Sequence, residues 1–341
     1  MKSLVFQQVD VFTAVPFKGN PVAVVLDADD LSSEKMQSIA AWTNLSETTF
    51  VCAPTDQQAD YRLRIFTPKR ELPFAGHPTI GSAHAVLRGG LKPHTSGRLV
   101  QECGKGLVDI KIDGERLLLA LPEPRFREPT ASDLTAVTEA LGIAATDAII
   151  DVGPVWFTVQ LASGDAVRAL APEMGKLAGL SSIGITGANV FGLYQAGANT
   201  DLEVRSFAPG DGVPEDPVCG SGNGCVAALV RRDGILNTRS YVASQGRCLG
   251  RDGLVSVQFE DGTIWLGGHA VTCIDGVLHT RVRVRIRAVE RLNSTLFGHW
   301  QRHTRTAQAA VIARSLLRKS APSLRLCRKA RPGRSVQETA P

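Results

Sequence analysis

A chain of 341 residues, 43% of them hydrophobic, is long enough to bury two domain-sized cores. Its seven cysteines are odd in number and form no C-x-x-C pair, which argues against a disulfide framework or a zinc site and points to reduced thiols in a cytoplasmic protein. The net charge of +5 is unevenly spread: residues 281–341 hold fifteen Lys or Arg against Glu290 and Glu338, or +13, which leaves the other 280 residues at −8. An acidic body offers nucleic acid no platform, and the charge step marks a boundary near residue 280.

The chain opens with a strand from Leu4 to Phe12, whose apolar run is broken by Gln7, Gln8 and Asp10 and so does not read as a signal peptide. After a turn at residues 16–21 comes a second strand, Val22 to Leu26. Ser32 or Ser33 is placed to cap a helix running through Ala41. Glu47 follows, where that helix ends and a β-branched strand begins, a position suited to function. Residues 60–66 alternate as a strand, and Ile80, Ala83 and Leu87 line one face of a helix. Strands fill 99–112, and Pro122-Glu123-Pro124 begins a linker.

The later part repeats the plan. A helix is expected over 132–141, strands over most of 149–161, a short helix over 173–180, and strands over 188–194 and 202–207. A glycine-rich loop then leads into an apolar helix with Arg231 and Arg232 in its last turn and Gly234 as its stop. Strands follow over 241–243, 254–259, 263–266 and 270–274. The longest uncharged run, 177–200, is studded with Gly, Ser, Asn and Gln and cannot span a membrane.

Two stretches match each other. Arg64-x-Phe66-x-Pro68 corresponds to Arg205-x-Phe207-x-Pro209, and Pro73-x-x-Gly76 to Pro217-x-x-Gly220. In each copy a strand runs into a Pro/Gly loop and then an apolar helix. The period is far too long for a solenoid, so two similar halves are expected, with both helix N-termini facing one cleft. The fold class is α+β: two pseudo-symmetric domains, each a curled sheet around a central helix. The expected division is 1–121, 122–280, and a basic, largely disordered extension over 281–341. Within it, an edge strand over 281–287 and an isolated helix over 307–317 are possible.

The motifs Val9-Asp10-Val11-Phe12-Thr13, Gly19-Asn20-Pro21, Asn44-Leu45-Ser46-Glu47-Thr48-Thr49-Phe50, Pro73-Phe74-Ala75-Gly76-His77-Pro78-Thr79 and Glu215-Asp216-Pro217-Val218-Cys219-Gly220-Ser221-Gly222 resemble the PhzF family of phenazine biosynthesis-like isomerases. These are related in fold to diaminopimelate epimerase. The resemblance runs from residue 1 to about 280. It implies an active site between the two halves, no cofactor and no metal, a homodimer, and a glutamate at Glu47 that shuttles a proton, with His77, Asp216 and Ser221 lining the same site.

On that basis Glu47, His77 and Asp216 are the expected catalytic residues. A shuttle needs a pKa raised towards neutrality, which burial supplies. Gly76, Thr79, Cys219, Gly220, Ser221 and Gly222 are expected to line the substrate, with backbone N–H groups and hydroxyls holding a small carboxylate. The amides of Asn223, Thr79 and His77 are further candidates. Glu215 is expected to cap the helix or face solvent. Cys219 aligns with Ala75, so a racemase with one thiol per half is disfavoured. As a thiol at a helix N-terminus, Cys219 is nevertheless expected to have a lowered pKa. Epimerisation or dehydration of a small hydroxy- or amino acid, or plain small-molecule binding, are the alternatives left open.

Overall fold

The computed structural model describes residues 3–143 and 148–280, which lie in one compact unit, Met1–Val282. The strand expected over 281–287, the helix over 307–317 and the basic extension fall outside the described residues. No described helix is long and apolar enough to cross a membrane.

The elements of the first half are β1 (Ser3–Val11), β2 (Asn20–Val25), α1 (Ser33–Thr43), β3 (Thr48–Cys52), β4 (Tyr61–Phe66), β5 (Glu71–Leu72), α2 (Gly76–Arg88), β6 (Arg98–Cys103), β7 (Gly106–Asp113) and β8 (Arg116–Ala120). Then come β9 (Arg125–Arg127), α3 (Ala131–Leu141), β10 (Ala148–Asp151), β11 (Val155–Gln160), α4 (Gly164–Ala169), α5 (Met174–Ala178), β12 (Gly187–Leu193), β13 (Leu202–Ala208) and β14 (Val213–Asp216). The chain continues through α6 (Gly220–Asp233), β15 (Ser240–Gln245), β16 (Gly253–Glu260), β17 (Thr263–Gly268) and β18 (Ala270–His279).

The duplication read from the motifs extends to every strand pairing. In the first half β1–β2 is antiparallel, β2–β3 parallel, β3–β4 antiparallel, β4–β6 parallel, and β6–β7 and β7–β8 antiparallel. The series β10, β11, β12, β13, β15, β16 and β17 repeats that pattern pair by pair. The halves join where β8 pairs with β17. At the junctions β9, just past residue 121, pairs with β10, and β18, within the range 122–280 expected for the second half, pairs with β1. The outer side of β1 carries unmet backbone groups, and β18 satisfies them from the far end of the chain.

Each half is wound round one helix. Residues 77–83 of α2 and 222–230 of α6 are buried all the way round, as a helix at the centre of a sheet must be. Glycines make the close approach possible. A Cβ on Gly81 would lie 2.4 Å from Val22 Cγ1, and one on Gly222 would lie 2.5 Å from both Asn189 Oδ1 and Ser206 Oγ. The glycines expected to precede the second helix are therefore part of it, forming its first turns against the sheet.

The repeated Arg-x-Phe motif also has a physical role. Arg64 forks to Glu71 through Nε and Nη2, both at 2.7 Å, and Arg205 forks to Glu215 at 2.9 Å twice. Each guanidinium also lies over the phenylalanine two residues on, at 5.2 Å for Phe66 and 4.8 Å for Phe207. Glu215, expected from sequence to cap the helix or face solvent, does neither; it closes β14 against β13. The pairing turns it away from its neighbour Asp216, because successive side chains on a strand point to opposite faces.

Candidate active site

Glu47 lies in the segment joining α1 to β3. Asn44, in the left-handed conformation at φ 55°, ends α1 and turns the chain. The Glu47 carbonyl then accepts from Ala23 N, at 3.4 Å, and so ties the segment to β2. His77 stands in the first turn of α2 and Asp216 at the end of β14. The two helix N-termini meet: a Cβ on Gly220 would be 3.8 Å from the backbone nitrogen of His77. Residues far apart in sequence are therefore held at one place.

Glu47 Oε2 and His77 Nε2 face each other at 3.4 Å, with side chains 16% and 9% exposed. Neither atom has a hydrogen-bond partner, and both are buried. Burial raises the pKa of Glu47, opposed by a hydrogen bond from Ser46. Burial also lowers His77 to about 4, while Asp216 and a backbone hydrogen bond at Pro21 pull the other way. The imidazole is therefore neutral at neutral pH, and its contact with Glu47 is a poised donor–acceptor pair and not a salt bridge.

Asp216 is pushed up to about 6, first by burial, with the Glu47 charge adding and His77 and the Val218 amide opposing. Its carboxylate is held in place: Oδ1 accepts from Asn20 Nδ2 and from Val218 N, both at 3.0 Å. Asn20 spans the halves, donating also to Val218 O at 3.0 Å. Gln245, fully buried, accepts from Cys219 N at 3.1 Å and from Asn223 Nδ2 at 2.7 Å, and donates to Asp216 O at 3.1 Å. Asn20 and Gln245 set the start of α6 and the angle of Asp216. Asn20 sat inside a motif noted from sequence, but nothing marked Gln245, whose role depends on β15 lying beside β13.

Several expected substrate contacts are used within the protein itself. The Thr79 hydroxyl donates to Ala75 O at 2.8 Å and accepts from Gln101 Nε2 at 3.1 Å, and its own amide bonds Ala75 O. Thr79 is fully buried, so it braces α2 and does not reach into the cleft. The amide of Gly222 donates to Cys219 Sγ at 3.3 Å and that of Asn223 to Cys219 O at 3.0 Å. Neither amide is left open to a ligand. What remains is the first-turn amides of Gly76 and His77, where Ala75 supplies no side-chain cap, together with those of Gly220 and Ser221 and the Ser221 hydroxyl.

Cys219 caps α6 with its sulfur, and its pKa is raised, not lowered. Burial is the largest cause and the nearby Asp216 charge the second. The helix N-terminus is outweighed because the thiol is enclosed and faces an anion.

The arrangement is therefore a buried carboxyl with one unpartnered oxygen against a neutral imidazole, a second carboxyl with an elevated pKa, and two opposed helix N-termini. A sequence profile of the phenazine biosynthesis-like proteins matches residues 9–276. The chain belongs to this PhzF family, a family of isomerases. It is 37% identical over 260 residues to the trans-2,3-dihydro-3-hydroxyanthranilate isomerase of Pseudomonas fluorescens, covering 74% of this chain and 89% of that one. It is 42% identical to the protein called Antisense-enhancing sequence 1 of Schizosaccharomyces pombe, over 80% of this chain and 97% of the relative. The crystal structure of a PhzF-family protein of Bacillus anthracis superposes with a TM-score of 0.72 at 25% identity, covering 82% of this chain and all of that one. An open cavity of about 390 Å³ lies among Asp165, Arg168, Ala169, Arg247 and Cys248. It shares no lining residue with the cluster of Glu47, His77 and Asp216.

Proposed function

We propose that this PhzF-family protein isomerises a small, unsaturated cyclic carboxylate by moving one proton between two carbons, without a cofactor, and that Glu47 carries the proton. The substrate class follows the isomerase relatives, whose named substrate is a cyclic hydroxy-amino carboxylate. The observation that carries the proposal is Glu47 Oε2, buried without a hydrogen-bond partner and 3.4 Å from a neutral imidazole. A carboxylate left so exposed to a reacting carbon is a base, and once protonated it is an acid of elevated pKa.

In the forward step the Glu47 carboxylate takes a proton from a ring carbon. The electron pair of that C–H bond moves into the adjoining unsaturation, and its far carbon takes the same proton back from Glu47. Atoms and charge balance with no outside reactant. Neutral His77 hydrogen-bonds the substrate or Glu47 as the charge shifts, and Asp216, ionised above about pH 6, holds a polar substituent. The Ser221 hydroxyl and the first-turn amides hold the ring carboxylate. The thiol of Cys219, with no partner thiol at Ala75 and a raised pKa, gives two-base racemisation no support.

The test is to incubate the protein with trans-2,3-dihydro-3-hydroxyanthranilate and related cyclic carboxylates and follow the product isomer and its deuterium content in heavy water. Turnover that survives Glu47→Gln and disappears in Cys219→Ser would overturn the assignment.

A further inference from the structure

Ser221 has a partner that the chemistry above does not use. Trp156, on β11 and 3% exposed, donates from Nε1 to Ser221 Oγ at 3.0 Å. An indole nitrogen donates and cannot accept, so Ser221 Oγ must be the acceptor in this bond. Its other side-chain neighbour is Cys219 Sγ at 3.5 Å. That sulfur already accepts from the Gly222 amide, and burial keeps it a thiol, with its own hydrogen to place. That hydrogen also has the Asp216 carboxyl to bond, so either atom of the Ser221–Cys219 contact can be the donor. Trp156 holds one of the two lone pairs of the serine oxygen and leaves it one lone pair and one hydrogen.

We propose that Trp156 is a positioning residue for substrate carboxylate: by filling one lone pair of Ser221 Oγ it anchors the oxygen at the helix start and favours donation of the serine hydrogen into the cleft. The inference rests on the proposed carboxylate substrate and deepens it. Ser221 and His77 occupy the same place in their respective helices, the second position after the cap, and the two helix starts are in contact. A hydroxyl free to rotate would offer the cleft a hydrogen or a lone pair. One with a lone pair held by an indole has less to accept with and its hydrogen still to give, which favours an anion over a cation or a second donor.

A measurement can separate this from packing. Trp156 is replaced site-specifically by 3-benzothienylalanine, which keeps the ring volume and exchanges the N–H for sulfur, and Trp156→Phe serves as a second variant. Kinetics use trans-2,3-dihydro-3-hydroxyanthranilate; binding uses 2-aminobenzoate and, as a probe without the carboxylate, aniline. We expect KM and the Kd of 2-aminobenzoate to rise about five- to tenfold, the usual worth of one aligned charge-assisted hydrogen bond. We expect kcat to stay within about twofold and aniline binding to be unchanged. In a Ser221→Ala background the benzothienyl replacement should add nothing further. Unchanged KM and Kd with wild-type binding intact would overturn the role of Trp156 alone, as would an equal loss in the Ser221→Ala background. Failure of the wild-type protein to bind 2-aminobenzoate would overturn the carboxylate proposal, and this inference with it.

Discussion

The starts of α2 and α6 share a backbone plan and divide the work. At α2 the cap position is Ala75, which offers no side-chain cap, and the second helical residue is His77, a group that titrates. At α6 the cap is Cys219, whose sulfur accepts from Gly222, and the second helical residue is Ser221, whose charge never changes. The first half leaves its cap position without a side-chain acceptor, the second fills its own with a sulfur; in the proposed function the first brings the proton shuttle and the second the grip on substrate. A duplicated scaffold can place two helix ends face to face by symmetry alone. Chemistry on a single substrate then requires that the symmetry be broken at the side chains.

The largest expected effect tests the titrating half. Glu47→Gln keeps the shape and loses the proton, and kcat should fall about 10²- to 10⁴-fold with KM little changed. A steady-state assay with the cyclic carboxylate panel decides it. A variant within threefold of wild type would move the base to the other half.

Next comes the pH dependence of stability. Asp216 has a folded pKa of about 6 against the ordinary 3.8, so the folded state binds its proton more tightly than the unfolded state does. Its cost is absent below about pH 4, grows as pH rises, and is complete above about pH 6, on the order of 2–3 kcal/mol. Asp216→Asn should therefore gain stability relative to wild type between pH 4 and pH 7. His77, lowered from 6.5 to about 4, has the opposite sense: its neutral form is favoured by folding, and stability is lost as pH falls from 6.5 towards 4. In urea titrations across that range, the stability of Asp216→Asn relative to wild type should rise with rising pH and that of His77→Gln should rise with falling pH. Parallel curves would contradict the burial of the pair.

The glycines sharpen the contrast at a smaller scale. Gly222→Ala meets Asn189 and Ser206 at 2.5 Å, whereas Gly76→Ala finds only Leu119 Cδ1 at 3.9 Å. Thermal melts should show Gly222→Ala destabilised by about 1–3 kcal/mol or more and Gly76→Ala within about 0.5 kcal/mol of wild type. The smallest effect is expected at Cys219→Ser. Serine is itself a good cap, so stability should shift by less than about 1 kcal/mol, and turnover should persist because the thiol is not the base. Abolished turnover would reverse that role.

Much of the site was legible because its residues lie in short local motifs. Residue type and spacing placed Glu47 between a helix and a strand, His77 and Ser221 at helix starts, and Gly234 at a helix end, all of which depend on neighbours a few positions away. The two halves were legible for a related reason: Arg64-x-Phe66 and Arg205-x-Phe207 make the same fork and ring contact, and such demands leave the same letters twice. The family resemblance summed these local signals over most of the chain.

Where sequence misled, a second segment had intervened. Glu215 pairs with Arg205 across a strand, and β18 pairs with β1 from the first half. The direction of the Cys219 shift was decided in the same way, since enclosure and the Asp216 charge outweigh the helix end. Asn20, Gln245 and Trp156 became site residues only through strands that the fold lays side by side. Local order and the duplicated plan are set by interactions within a few residues, so the sequence by itself determined them. Burial, which sets the pKa values, and cross-strand partners, which decide which donors remain free, depend on surfaces brought together from distant positions, and those the tertiary structure alone decided.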